Sequence, residues 1–362
     1  MNATLFRASA GLAVLAGAIA AATAAAPAAT GNPLRVGLYA ADGGVEVVLT
    51  NAGSRTLRVP RYQLPLGELQ GKLFQVSRDG QPVAYEGPMI KRGLPTAGDF
   101  AVLRPGQSVR GVVRLADAYD MRQGGTYTIV LASALQHAST SDGRMLAGRN
   151  GSPVVLRSAP LRMYAAGKQP QAAKPSGKGK PGGGGGGTGS INGVTTVGCS
   201  STQINGIGSA ITGARGYTEN AKGYLNANNQ GPRYTTWFGA YTSSRYNTAS
   251  QHFAAIDSAM DQSGGQITVN CGCNQNYYAY VYPTKPYEIF VCRAFWSAPT
   301  TGTDSKAGTL VHEMSHFNVV AGTDDVVYGQ SGAKNLAITD PAGALNNADS
   351  HEYFAENNPF QN

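Results

Sequence analysis

The stretch from Gly308 to Gly329, GTLVHEMSHFNVVAGTDDVVYG, concentrates residue types that do chemistry. His312 and His316 stand four apart, and on a helix that spacing puts both imidazoles on one face. Two imidazoles so placed can hold one Zn2+. Glu313 between them can sit beside a water that the metal acidifies and can take its proton. A surface helix with two incidental histidines shows the same spacing, so the neighbouring residues decide.

A catalytic zinc needs a third protein ligand and an open position. One extended form of the motif places a glycine three residues after the second histidine and a third histidine six after it. Val319 and Gly322 occupy those places here, which excludes it. Two carboxylates remain. Glu352 lies further along the chain. Asp325 is nearer, nine residues after His316, and Gly322 can end the helix and turn the chain back. Tyr328, three residues on, carries a phenol that can donate a hydrogen bond to a developing oxyanion. Asp324 and Asp325 alone read as a solvated turn; together with HEMSH they favour a metal site.

The last helical stretch, near residues 345–356, carries Asp349 and Glu352 at i,i+3 spacing. Two carboxylates facing one pocket suit a lysine ammonium through charge-assisted hydrogen bonds. The plainer reading makes Asp349 a helix cap and Glu352 a solvated charge. His351 between them reads as structural.

These residues need a scaffold, and the chain of 362 residues is long enough for two domains. Residues 1–26 pair Arg7 with an Ala/Leu/Val run and small residues before Pro27, the pattern of a secretory signal peptide. Residues 33–166 alternate in strand fashion. Turn signals at Asp79-Gly80 and Pro105-Gly106 separate the runs, which predicts an all-β, immunoglobulin-like sandwich. Residues 167–194 hold a six-glycine run with almost no apolar content and read as a flexible, protease-accessible linker. From residue 195 to 362, helical spacing and aromatic-rich strands predict a helix-rich α+β domain. Cys199, Cys271, Cys273 and Cys292 all fall there; an even count in an exported chain predicts two disulfides. A zinc cluster is the rival, but one CxC with distant partners lacks the paired spacing.

The net charge of +8 is unevenly spread. From Thr195 onward there are 8 Lys+Arg and 12 Asp+Glu, a net of −4; the rest, out of totals of 29 and 21, carries 21 basic and 9 acidic residues, a net of +12. No dense basic block is present, which argues against nucleic-acid binding, and no later segment is long and apolar enough for a membrane span. Complementarity between the two halves accounts for the asymmetry.

HEMSH followed by GTDDVVYG resembles the deuterolysin, or aspzincin, family of zinc endopeptidases, and residues 199–362 resemble its peptidyl-Lys branch. RYTTWFG (233–239), AYVYP (279–283), FWSAPTTGTDSKAGTLVHEMSHF (295–317) and NADSHEYFAENNP (347–359) carry the likeness. The resemblance implies one Zn2+ held by His312, His316 and Asp325, with Glu313 as general base and Tyr328 as transition-state donor. It implies a lysine pocket of Asp349 and Glu352, and disulfides Cys199–Cys271 and Cys273–Cys292. It also implies protein substrates cut on the amino side of lysine, and an N-terminal propiece. The expectation is therefore a secreted, monomeric zinc endopeptidase made as a zymogen. Lys91 and Lys72 are the two lysines within residues 33–166. Lys91, in YEGPMIKRGLPTAG, reads as a loop residue that reaches the acidic pocket and inhibits the enzyme. Two alternatives stay open: a β domain kept as a permanent binding module, or a non-catalytic adhesion protein with a structural zinc.

Overall fold

The computed structural model describes residues 32–148, 153–167 and 187–362. The signal peptide expected at 1–26 and the linker residues 168–186 lie outside them.

The N-terminal region is β-rich. β1 (Leu34–Ala41) and β2 (Gly44–Asn51) form an antiparallel hairpin. β2 buries every second residue, Val45, Val47 and Leu49 among them, so its alternating sequence becomes one face of the core. β3 (Leu57–Pro60), β4 (Phe74–Arg78) and β5 (Gln81–Pro82) follow. Asp79 and Gly80 turn the chain between β4 and β5 with φ of 49° and 85°, the left-handed pair that a two-residue hairpin needs. Next come β6 (Met89–Lys91), β7 (Phe100–Leu103), β8 (Ser108–Val113), β9 (Gly125–Leu135), β10 (Ser139–Thr140), β11 (Val154–Arg157) and β12 (Leu161–Ala165). The long β9 pairs with β4, β11 and β12, while β8 pairs with β2, and β7 with β3.

The helix-rich region opens on a hairpin of β13 (Thr188–Ile191) and β14 (Val194–Val197). Ordered structure thus starts inside the stretch read as linker, because Val194 is fully buried in the sheet. Helix α1 (Ser201–Asn226) is started by a capping box. The Ser200 hydroxyl accepts from the Gln203 N–H, and the Gln203 side chain accepts from the Ser200 N–H. Helices α2 (Pro232–Phe238) and α3 (Ser243–Met260) precede strands β15 (Thr268–Asn270), β16 (Ala279–Val281) and β17 (Glu288–Val291). Helices α4 (Arg293–Ser297), α5 (Lys306–His316), α6 (Gly329–Thr339), α7 (Pro341–Leu345) and α8 (Ala348–Glu356) complete the chain. Disulfides join Cys199 to Cys271 and Cys273 to Cys292, the pairing expected from the resemblance.

Helix α5 packs against α1, α3 and α8. Gly308 permits the close approach to α8, since a Cβ there would meet Glu356 Oε1 at 2.1 Å. The sheet runs β13-β14-β15-β17-β16-β6, so its last strand comes from the N-terminal region. β6 pairs antiparallel with β16, with Lys91 opposite Ala279 and Ile90 opposite Tyr280. Here the structure corrects the sequence reading: Lys91 sits on a strand, not on an exposed loop, and is only 1% exposed. Gly87, Pro88, Gly93 and Pro95 punctuate the segment as a loop would, but the free edge of β16 gives it strand partners.

Candidate metal centre and lysine pocket

Helix α5 is buried on all sides from Ala307 to His316. His312, Glu313 and His316 are each fully buried. The two imidazoles face each other, with their Nε2 atoms 3.2 Å apart. Past the helix the chain reverses at Gly322, whose φ of +61° needs no Cβ. The turn brings the Thr323 carbonyl to 2.8 Å from His316 Nδ1. That carbonyl can only accept, so Nδ1 carries the hydrogen and Nε2 turns its lone pair inward.

The turn also delivers Asp325. Its Oδ1 lies 3.1 Å from His312 Nε2 and 3.4 Å from His316 Nε2. Asn347 at the start of α8 fixes this segment, its Oδ1 accepting from the N–H groups of Val326 and Val327 at 3.1 and 3.0 Å. Four tetrahedral ligands about 2.05 Å from a zinc ion stand about 3.3 Å apart. The three edges seen here, 3.1 to 3.4 Å, match one face of that tetrahedron. Asp325 Oδ1 and both Glu313 oxygens are buried without a hydrogen-bond partner among the described residues. Such orphaned acceptors are costly unless a cation or water completes them. The residues present therefore fit a zinc ion. Burial also pushes the Glu313 carboxyl up to about 7, which suits a group that must take up and give back a proton.

Glu352, the other carboxylate weighed as a ligand, sits on the far side of the His312 ring. His312 Nδ1 lies 2.9 Å from Asp349 Oδ1 and 3.2 Å from Glu352 Oε2. These two carboxylates form the floor of a pocket filled by Lys91. The ammonium lies 2.5 Å from Glu352 Oε2, 3.5 Å from Asp349 Oδ1 and 3.7 Å from Asp304 Oδ1. Burial alone would lower the Lys91 pKa, but Asp349 and Glu352 together hold it well above its ordinary value. The Tyr278 and Tyr353 rings flank the ammonium at 5.3 and 5.9 Å.

The backbone beside Lys91 meets the same site. Tyr328 Oη donates to the Ile90 carbonyl at 2.8 Å, and the Ile90 N–H donates to Asp325 Oδ2 at 3.0 Å. Gln136, also from the N-terminal region, grips the Tyr328 main chain at both its N–H and its carbonyl. Lys72 bonds both oxygens of Asp324 at 3.1 and 2.9 Å. Asp304, Tyr278 and Gln136 have no role in the sequence reading. Asp304 stands in TTGTDSKAG, eight residues before His312, where a lone acid in a turn looks ordinary. Nothing in spacing links Gln136 to Tyr328.

A buried helix that aims two imidazoles and a turn carboxylate at one point, beside an unpartnered glutamate and a sheet edge that takes up an added strand, defines a zinc-dependent peptidase. Comparison with known proteins agrees. Residues 224–356 match the aspzincin family, described as "Lysine-specific metallo-endopeptidase". The chain is 43% identical over 327 residues to an "Extracellular protease" of Aeromonas hydrophila, covering 88% of this chain and 89% of that one. It is 34% identical over 335 residues to a "Peptidyl-Lys metalloendopeptidase" of Grifola frondosa, covering 88% of each. A relative with the same name from Pleurotus ostreatus is 50% identical over 167 residues, 46% of this chain and 98% of the relative. The chain belongs to the aspzincin family of zinc metalloendopeptidases.

Proposed function

We propose that this chain is the zymogen of a secreted endopeptidase that cuts on the amino side of lysine, and that residues 33–166 inhibit it by occupying its active site as a substrate would. The observation that carries the reading is Lys91. Its ammonium fills the acidic pocket while the carbonyl of the preceding residue accepts the Tyr328 hydrogen bond. Both contacts support reading the Ile90–Lys91 peptide as the counterpart of a scissile bond.

His312, His316 and Asp325 would hold the metal. A zinc ion there supplies Lewis acidity. Glu313 takes a proton from the attacking water and returns it to the departing amine as the C–N bond breaks. Tyr328 donates to the carbonyl oxygen as negative charge grows on it. The β16 edge aligns the substrate backbone, and Asp349 and Glu352, with Asp304 at the rim, select lysine. Arginine, longer and planar, fits a pocket built around a compact ammonium less well.

Secretion is supported by the leader sequence and by the name of the Aeromonas hydrophila relative. No helix among the described residues is long and apolar enough to cross a membrane. We also read residues 33–166 as an immunoglobulin-like sandwich, since their antiparallel sheets share one apolar core.

The test is digestion of a protein of known sequence with every cut site mapped, using zinc-loaded full-length chain and its Lys91→Ala variant. Cuts should cluster before lysine. The variant should be active from the first minutes, where the parent shows a lag until its propiece is removed. Cuts without lysine enrichment, or equal lags, would overturn the reading.

A further inference from the structure

We infer that Tyr277 forms a second recognition subsite, which takes a planar cationic side chain, arginine above all, at the residue following the lysine. The inference rests on the reading of β6 as a substrate-like strand. Register past the lysine pocket is set by the Tyr278 N–H, which donates to the Lys91 carbonyl at 3.0 Å. Residue 92 follows directly beyond that bond. There the Arg92 guanidinium lies 4.5 Å from the centroid of the Tyr277 ring.

On its other side Arg92 meets the Tyr62 ring at 4.4 Å, and its Nη2 donates to Gln70 Oε1 at 2.8 Å. Tyr62 and Gln70 belong to the N-terminal region and leave with it. Tyr277 belongs to the enzyme and is held without help from β6. The Tyr277 carbonyl accepts from the Ala294 N–H and the Tyr278 carbonyl from the Cys292 N–H, each at 2.9 Å. The Cys273–Cys292 disulfide closes the same loop. These bonds fix the main chain that carries the ring, and the ring is half-buried beside Arg92. A guanidinium stacks on such a face through charge–quadrupole attraction, while a neutral or acidic side chain gains less or is disfavoured. At a partly exposed site the expected gain is about two- to fivefold in kcat/KM.

The experiment uses enzyme matured from the full chain and a peptide set identical except for the residue after a single lysine: arginine, citrulline, alanine or glutamate. Citrulline keeps the shape of arginine without its charge. The arginine peptide should be cut about two- to fivefold more efficiently than the citrulline peptide. That ratio should survive in Tyr277→Phe, which keeps the π face, and fall to about one in Tyr277→Ala. Equal rates on arginine and citrulline peptides in the parent enzyme would overturn the inference, as would an unchanged ratio in Tyr277→Ala. If no peptide is cut before lysine, the lysine reading itself fails and the subsite falls with it.

Discussion

His312 belongs to two sites at once. Its Nε2 faces Asp325 and His316, while its Nδ1 faces Asp349 and Glu352, the carboxylates that also hold the Lys91 ammonium. Groups that orient a metal-bound imidazole typically change metal affinity by about 10- to 100-fold when removed. Asp325→Ala should therefore abolish stoichiometric zinc binding. Glu352→Ala should weaken zinc by no more than that 10- to 100-fold range and also lose the preference for lysine. Metal titration of the two purified variants checks this; equal loss of zinc in both would show the third ligand to be misassigned. Asp304 gives the complementary case. It approaches the ammonium at 3.7 Å, its side chain is 42% exposed, and it accepts a hydrogen bond from Tyr353 Oη at 2.7 Å. A partly solvated charge contributes modestly, so Asp304→Asn should raise KM for lysine substrates about two- to tenfold with zinc content unchanged. A kcat loss at constant KM would instead mean that Asp304 acts on the chemistry. Of these residues, sequence spacing exposed the histidine pair and nominated Asp325, because both lie within one local helix and turn. Asp304 was invisible, since only the packing of its turn against α8 brings it to the pocket.

Helices α5 and α8 set the distances within the site, and their packing leaves α8 buried along its whole length. His351, on α8 between the two pocket acids, faces away from them. It packs beside the Phe253 and Phe238 rings, and its Nδ1 donates to the Asn347 carbonyl. Its Nε2 then accepts from His252 Nδ1 at 3.0 Å. Burial, and then the nearby His252, push the His351 imidazole down to about 3. The unfolded chain, with an ordinary histidine near 6.5, takes up a proton in that window and the folded chain does not. The contribution to stability is whole above about 6.5 and is lost progressively as the pH falls toward about 3. Urea unfolding across that window should show a steeper fall for the parent than for His351→Gln, by up to about 1.4 kcal/mol per pH unit. Parallel slopes would show that the imidazole does not stay neutral. The sequence reading took His351 as structural, and its packing against Phe238 and Phe253 agrees with that. The strand β6 was missed: its glycines and prolines signal a loop, and only the β16 edge, nearly two hundred residues away, makes it a strand.

At the scale of the whole molecule, the N-terminal region is joined to the catalytic region by more than the intervening chain. β6 extends the catalytic sheet, Lys91 is enclosed by acids, Gln136 holds the Tyr328 backbone, and Lys72 pairs with Asp324. Residues 33–166 carry 16 basic and 9 acidic residues, a net of +7 against −4, which adds long-range attraction, but the Lys91 contacts with Glu352 and Asp349 are buried and little screened by salt. The sequence carried the charge asymmetry and the two lysines of this region; it could not carry the register, which depends on two folded surfaces meeting. Cleavage within residues 168–186, where Lys168, Lys174, Lys178 and Lys180 stand, therefore cuts none of these contacts. The nicked protein should elute as one particle in gel filtration at moderate salt and stay inhibited. Activity should appear only after residues 33–166 are themselves degraded or unfolded. Nicked Lys91→Ala should separate into two pieces, or cut lysine peptides while still associated, because its pocket is open. If the nicked parent protein is fully active while the two pieces remain together, Lys91 does not block the site and the zymogen reading is wrong.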